Sequence, residues 1–197
     1  MQETEKVQLE MVATFPDEPR YRRYLGNTIT NQASVLLQLQ RLEESEGRFR
    51  ESLTTFEGLV REFPENQQYR EFLASCHSNL GVLLKDLHRN PETIEEYLKA
   101  EKLLGQIIKD APDDPKPWHF LAGTQTNLGI EMYLAHRPDE SIQYLGKAIA
   151  TQQRRVAIRP DEPDNRMVLI QVARKLGKHL HGIKAPGGGN SPTPSQR

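Results

Sequence analysis

"FPENQQYREFL", residues 63–73, reads as a turn that runs into a helix, and the same pattern stands at "FPDEPRYRRYL" (15–25), "APDDPKPWHFL" (111–121) and "RPDEPDNRMVL" (159–169). Each copy lies 48 residues after the last, without a gap. A fixed period of about 20–50 residues marks stacked supersecondary units, each too small to bury its own apolar face. The register extends well past the turn. Leu25, Leu73, Leu121 and Leu169 align, followed by "NQA" (31–33), "NLG" (79–81), "NLG" (127–129) and "KLG" (175–177). Phe49, Tyr97 and Leu145 come next, then the small residues Ser52, Ala100 and Ala148.

Within each unit, apolar residues recur at spacings of three and four, which predicts two helices. In the first helix Tyr24, Leu25, Thr28, Leu36 and Leu39 correspond to Phe72, Leu73, Cys76, Leu84 and Leu87, and are read as one buried face. The second carries Ile94, Tyr97, Glu101 and Leu104 in unit two, and Ile142, Leu145, Ile149 and Gln152 in unit three. Glu18, Asn66, Asp114 and Glu162 hold the cap position, and three of them precede a proline. Asp or Asn there accepts from an orphan N–H, proline needs no partner for its own nitrogen, and glutamate is a poorer cap. "RLEE", "RNPE" and "RPDE" (41–44, 89–92, 137–140) form the short link between the helices.

The predicted order is a partial second-type helix at 3–14, three full pairs at 18–62, 66–110 and 114–158, and a last first-type helix at 162–181. One repeat domain would span 1–184, with units at 15–62, 63–110 and 111–158 and partial units at 1–14 and 159–184. Residues 185–197, "APGGGNSPTPSQR", have the composition of a disordered tail.

The spacing of Leu80-Gly81, Leu84, Tyr97 and Ala100, repeated as Leu128-Gly129, Met132, Leu145 and Ala148, resembles the tetratricopeptide repeat family. The resemblance implies an all-α, right-handed superhelical solenoid of antiparallel helix pairs, with the first helix of each pair (helix A) lining the concave side and the second (helix B) outside. Thr93 and Ser141 depart from the family's alanine, and Gln32-Ala33 stands for Leu-Gly in unit one. The period also exceeds the family's usual one. The surplus falls as seven residues on each side of Pro112, almost two helical turns each, so both helices lengthen without turning their buried faces away.

Composition narrows the function classes. Aliphatic runs such as "VLL" (35–37, 82–84) fall far short of the roughly 20 apolar residues that span a bilayer, and "MQETEKVQLE" is no signal peptide. A cytoplasmic chain without membrane contact is expected. Cys76 is the single cysteine, which leaves no disulfide and no multi-cysteine zinc site, and it sits on the buried stripe as a core thiol. The six histidines lack ligand spacing, and the pair in "HLH" (179–181) points apart on a helix. The glycines of the tail follow no strand and open no helix, so they make no phosphate loop. Glu43-Glu44, Glu95-Glu96 and Asp113-Asp114 suit helix starts and solvated faces rather than acid–base chemistry. No enzyme activity, cofactor or metal is expected.

After Asp164 the only charged side chains are Arg166, Arg174, Lys175, Lys178, Lys184 and Arg197, with no aromatic stacking set among them. They are read as a solvated face, not a nucleic-acid surface. Trp118 is assigned to packing at the corner between units.

The candidate site is polar. Asn31, Asn79 and Asn127 recur on helix A, one residue before the Leu-Gly position. The resemblance places them on the concave side, where an amide that both donates and accepts suits an extended peptide backbone. Asn27, Ser34 and Gln38 share the stripe in unit one, Ser75, Val82 and Asp86 in unit two, and Gly123, Ile130 and Leu134 in unit three. The expected function is a non-catalytic scaffold that binds a peptide or helix of a protein partner. The alternative is a docking or regulatory portion of a bacterial serine/threonine kinase or other signalling protein, whose long repeats these resemble, although no kinase-core motif is present. The two ends also read as complementary: Val168, Leu169, Val172, Leu176 and Leu180 against Val7, Met11 and Val12 predict head-to-tail self-association.

Overall fold

A computed structural model of the chain describes residues 2–160 and Arg174. Among these are seven helices: α1 (Gln2–Thr14), α2 (Pro19–Gln38), α3 (Leu42–Glu62), α4 (Gln67–Asp86), α5 (Asn90–Asp110), α6 (Pro115–Leu134) and α7 (Pro138–Ile158). The pairs α2/α3, α4/α5 and α6/α7 stack in chain order, each helix packs on the next, and α2 also touches α4. The molecule is an all-α solenoid of antiparallel helix pairs. The expected last helix at 162–181, the self-association assigned to it and the tail at 185–197 lie outside the described residues.

Cap chemistry accounts for the starts of the A helices. Asn66 accepts from the Tyr69 backbone N–H at 3.2 Å and Asp114 from that of Lys116 at 3.0 Å. Glu18 makes no such bond, and Pro19 opens its helix instead. The A-to-B links are three copies of one motif. Gln40, His88 and His136 adopt left-handed backbone (φ 58°, 57° and 58°), and the next residue, Arg41, Arg89 or Arg137, donates its N–H back to Leu36, Leu84 or Met132. These are the six-to-one bonds of a Schellman close, built without glycine. The same arginines grip Glu44, Glu92 and Glu140 one turn on.

Helix pairs approach closely at small residues. A Cβ on Gly81 would stand 2.6 Å from the Tyr97 ring, and one on Gly129 2.6 Å from Leu145. Unit one has Ala33 there. Its close approach is Gly26, two turns earlier, where a Cβ would meet the Phe56 ring at 2.9 Å. The hydroxyls that replace alanine in helix B also have work in the fold: Ser45 donates to the Ala33 carbonyl at 2.8 Å and Ser141 to that of Gly129 at 2.7 Å, tying B to A. Thr93 instead bonds its own helix at Arg89.

Cys76 is buried, with its sulfur 3.3 Å from the Ser52 hydroxyl and 3.5 Å from that of Thr30, and burial pushes the thiol up. The added turns meet at the corner between units two and three. Ala74, Leu104, Ile108 and Leu121 pack there with Trp118, whose indole N–H donates to the Pro112 carbonyl at 2.9 Å.

Three residues read as buried are not. Leu39 is 62% exposed beside a cavity of about 600 Å³ that Val35, Leu36 and Arg48 also line, whereas its counterpart Leu87 packs on the cluster around Phe49. Tyr24 is 44% exposed because it stands two turns before Asn31 and shares that residue's open side. Ile142 is 46% exposed, while its counterpart Ile94 packs under α6 against Leu128 and Met132.

Candidate ligand-binding face

Helix geometry determines which A-helix side chains share a side. Relative to Asn31, Tyr24, Asn27, Ser34 and Gln38 fall within about 60° on α2, and all are exposed or half-buried. On α4 the corresponding Ser75 and Asp86 are exposed, with Asn79 and Val82 half-buried. On α6 Gly123 and Leu134 are exposed, with Asn127 and Ile130 half-buried. All nine residues expected in the site therefore reach the surface on the same side of successive A helices.

Their engagement differs. Among the described residues, neither Asn31 nor Asn79 makes a side-chain hydrogen bond, whereas Asn127 bonds the buried Tyr97 phenol. Ser34 turns its hydroxyl to the Thr30 carbonyl at 3.0 Å, and Val82 packs against the cluster of Ile94, Tyr97, Leu128 and Met132. Asp86 has Lys85 beside it at 3.9 Å. The asparagine row is thus open at its first two positions and partly tied at the third.

Below this face the charged groups are mostly paired. Glu5 of α1 meets Arg48 at 2.5 Å and Gln32 at 2.9 Å, and the Arg48 bond holds its carboxyl below the usual range. Glu96 is buried, which pushes it up. The bonds from His77 (2.7 Å) and Lys99 (2.8 Å) outweigh that and hold it below its ordinary value. Glu131 is the exception. It is 1% exposed, one carboxylate oxygen has no partner among the described residues, and burial raises its pKa against a weaker pull from Lys85. Burial likewise pushes up the Tyr97 phenol, with Glu131 and Asp86 adding to it.

Two features escaped the sequence reading. Tyr24 is read from the sequence as buried and Phe120 has no assigned place, yet both are exposed, at 44% and 46%. Their spacing of seven from Asn31 and Asn127 was the available signal. Glu131 stands at the register position of the buried Leu83, which was the available signal for its burial, although Val35 at the same position in unit one is exposed.

Together the fold and this face define a helical-repeat solenoid with one uncovered, mixed polar and aromatic side. No family model matches the chain, and no curated protein matches it. Among solved structures it is similar to BtubC (BKLC) from P. vanneervenii, with a TM-score of 0.49 and 14% identity over 100% of this chain and 80% of that one. It is also similar to the MamA RS-1 ArsTM double mutant, with a TM-score of 0.40 and 14% identity over 90% of each chain. Among the described residues no helix is long and apolar enough to cross a membrane, and no three His, Cys, Asp or Glu side chains are grouped to hold a metal ion.

Proposed function

We propose that the chain is a non-catalytic interaction module of the tetratricopeptide type, which holds an extended peptide or partner helix along the shared face of α2, α4 and α6. The observation that carries this reading is the pair of surface asparagines, Asn31 and Asn79, at identical register in adjacent helices and without side-chain hydrogen bonds among the described residues. An amide used only for packing would be spent on a neighbour, as Asn127 partly is on Tyr97. A free amide presents a donor and an acceptor to a peptide backbone whatever its side chains are.

The test is an affinity capture from native lysate with the wild type and with the triple variant Asn31→Ala, Asn79→Ala and Asn127→Ala, after circular dichroism shows equal helicity. The reading expects one partner held by the wild type and lost by the variant. A partner held equally by both would place recognition elsewhere and refute it.

A further inference from the structure

In units two and three the last turns of the A helix are covered by the start of the B helix before it. Leu42 and Phe49 of α3 pack in one cluster with Leu83, Leu84 and Leu87 of α4, and Ile94 and Tyr97 of α5 pack with Met132 and Ala135 of α6. Leu83 and Leu84 are 0% and 1% exposed as a result. The end of α2 has no such cover. By the 48-residue register α1 matches residues 50–62 of α3, so none of the described residues stands over α2 where Leu42, Glu46 and Phe49 stand over α4.

The cavity of about 600 Å³ beside α1 lies at that place. Val35, Leu36 and Leu39, the counterparts of Leu83, Leu84 and Leu87, line it, and Val35 and Leu39 are 36% and 62% exposed. Gly47 lines it too, and a Cβ there would meet nothing within 4 Å, so a helix backbone has room to come close.

Charge points the same way as the apolar contacts. Arg89 holds two acids, Glu92 one turn on and Glu46 of α3 at 2.7 Å. Its counterpart Arg41, on the cavity wall, has the first of these bonds, to Glu44, and among the described residues lacks the second. The Arg41 side chain is 55% exposed, against 35% for Arg89. The molecule thus contains a pattern for the occupant: leucine, glutamate and phenylalanine at i, i+4 and i+7, which share one helix face. A folded second copy does not present such a turn, since the starts of its α3 and α5 are already packed on α4 and α6.

We propose that the cavity between α1, α2 and α3 receives about two turns of an amphipathic helix from a protein partner, with leucine and an aromatic residue over Val35, Leu36 and Leu39 and a glutamate on Arg41. This is a second surface, because none of the residues expected in the asparagine row lines the cavity.

The probe is a labelled peptide of residues 42–49, LEESEGRF, stapled through the positions of Glu44 and Arg48, which lie opposite Leu42, Glu46 and Phe49 on the helix. The staple is needed because so short a helix does not hold by itself. Fluorescence anisotropy is read as the full chain is added, and saturable binding with Kd below about 100 µM is expected. Leu39→Glu, at an exposed position, should weaken binding at least about tenfold, with circular dichroism checking that helicity is kept. The peptide carrying Glu46→Lys should bind the wild type less well and regain affinity for Arg41→Glu, which an unspecific apolar contact would not do. Fusing LEESEGRF directly before Gln2 fills the site from within the chain and should abolish peptide binding. No saturation up to about 1 mM, or equal binding by Leu39→Glu or by the fused chain, overturns the proposal. A sedimentation profile in which the wild type dimerises and Leu39→Glu does not also overturns it, since a second copy would then be the occupant. The asparagine triple variant leaves every cavity residue in place, so its loss of a captured partner and a failure of peptide binding here are independent results.

Discussion

Units two and three share one backbone plan and differ in what they bury. Leu83 and Leu104 of unit two are 0% and 2% exposed, and their counterparts in unit three are Glu131 and Gln152, at 1% and 0%. Neither polar replacement is satisfied: Glu131 Oε2 and both amide atoms of Gln152 lack partners among the described residues. An unpaired buried polar group costs about 1–3 kcal/mol, and a buried leucine contributes about 1.5–3 kcal/mol. The same fold is therefore loaded unevenly, with α4 and α5 at the strong end and α6 and α7 at the weak end. In a repeat protein, stability is a sum of unit and interface contributions, so such a gradient leaves the architecture intact.

The largest effect should come from the strong unit. Tyr97→Ala removes a fully buried ring that spans two units and should cost about 4 kcal/mol in urea denaturation. A loss under about 1 kcal/mol would erase the ranking of the units. The weak unit should respond in the opposite sense. Glu131→Leu restores the residue type found at Leu83 and should stabilise by about 2 kcal/mol.

The same glutamate predicts a pH effect of definite sign. Its folded pKa is raised above the ordinary 4.5, so its cost is absent in acid and grows as pH rises from there through the raised value. Glu131→Gln should flatten that slope. Glu96 is the counter-case: with its folded pKa lowered, its contribution is present above 4.5 and is lost as pH falls through the lowered value. Denaturation of Glu131→Gln and Glu96→Gln across about pH 3–8 separates the two, and parallel profiles would contradict the assignment.

Smaller effects sharpen the backbone side of the contrast. Gly81→Ala drives a Cβ into the Tyr97 ring and should cost about 1.5 kcal/mol, while Gly105→Ala, with nothing within 4 Å, should stabilise by about 1 kcal/mol. The least change is expected from His88→Gly, which relieves left-handed backbone at φ 57° and should raise stability by about 0.5–1 kcal/mol. Equal responses at Gly81 and Gly105 would mean that the close approach of α4 and α5 has no energetic weight.

Much of this architecture could be read before any coordinates, because the 48-residue register repeats every decision. Asn66 and Asp114 announce helix starts through chemistry local to four residues, and the cap bonds form as that chemistry requires. The Leu-Gly step at 80–81 points to a close approach, and Tyr97 fills it. Apolar periodicity failed at Tyr24 and Leu39, since hydrophobicity alone does not say whether another element covers a residue. The left-handed Gln40, His88 and His136 were hidden for another reason: the usual signal is glycine, and none stands there. In the candidate face, the asparagine row was visible as a recurrence. The tie from Asn127 to Tyr97 depends on a neighbouring helix and could not be seen from α6 by itself.

The most direct test of the account is site-specific photo-crosslinking in native lysate. A photoreactive residue is placed singly at Asn31, Asn79 and Asn127, and, as controls on exposed B-helix positions, at Glu57, Gln106 and Arg154. The account predicts one crosslinked species shared by the three asparagine positions and absent from the three controls. Crosslinks of equal yield from the B-helix positions, or none from the asparagines, would contradict the claim that the open side of the A helices is where this protein meets its partner.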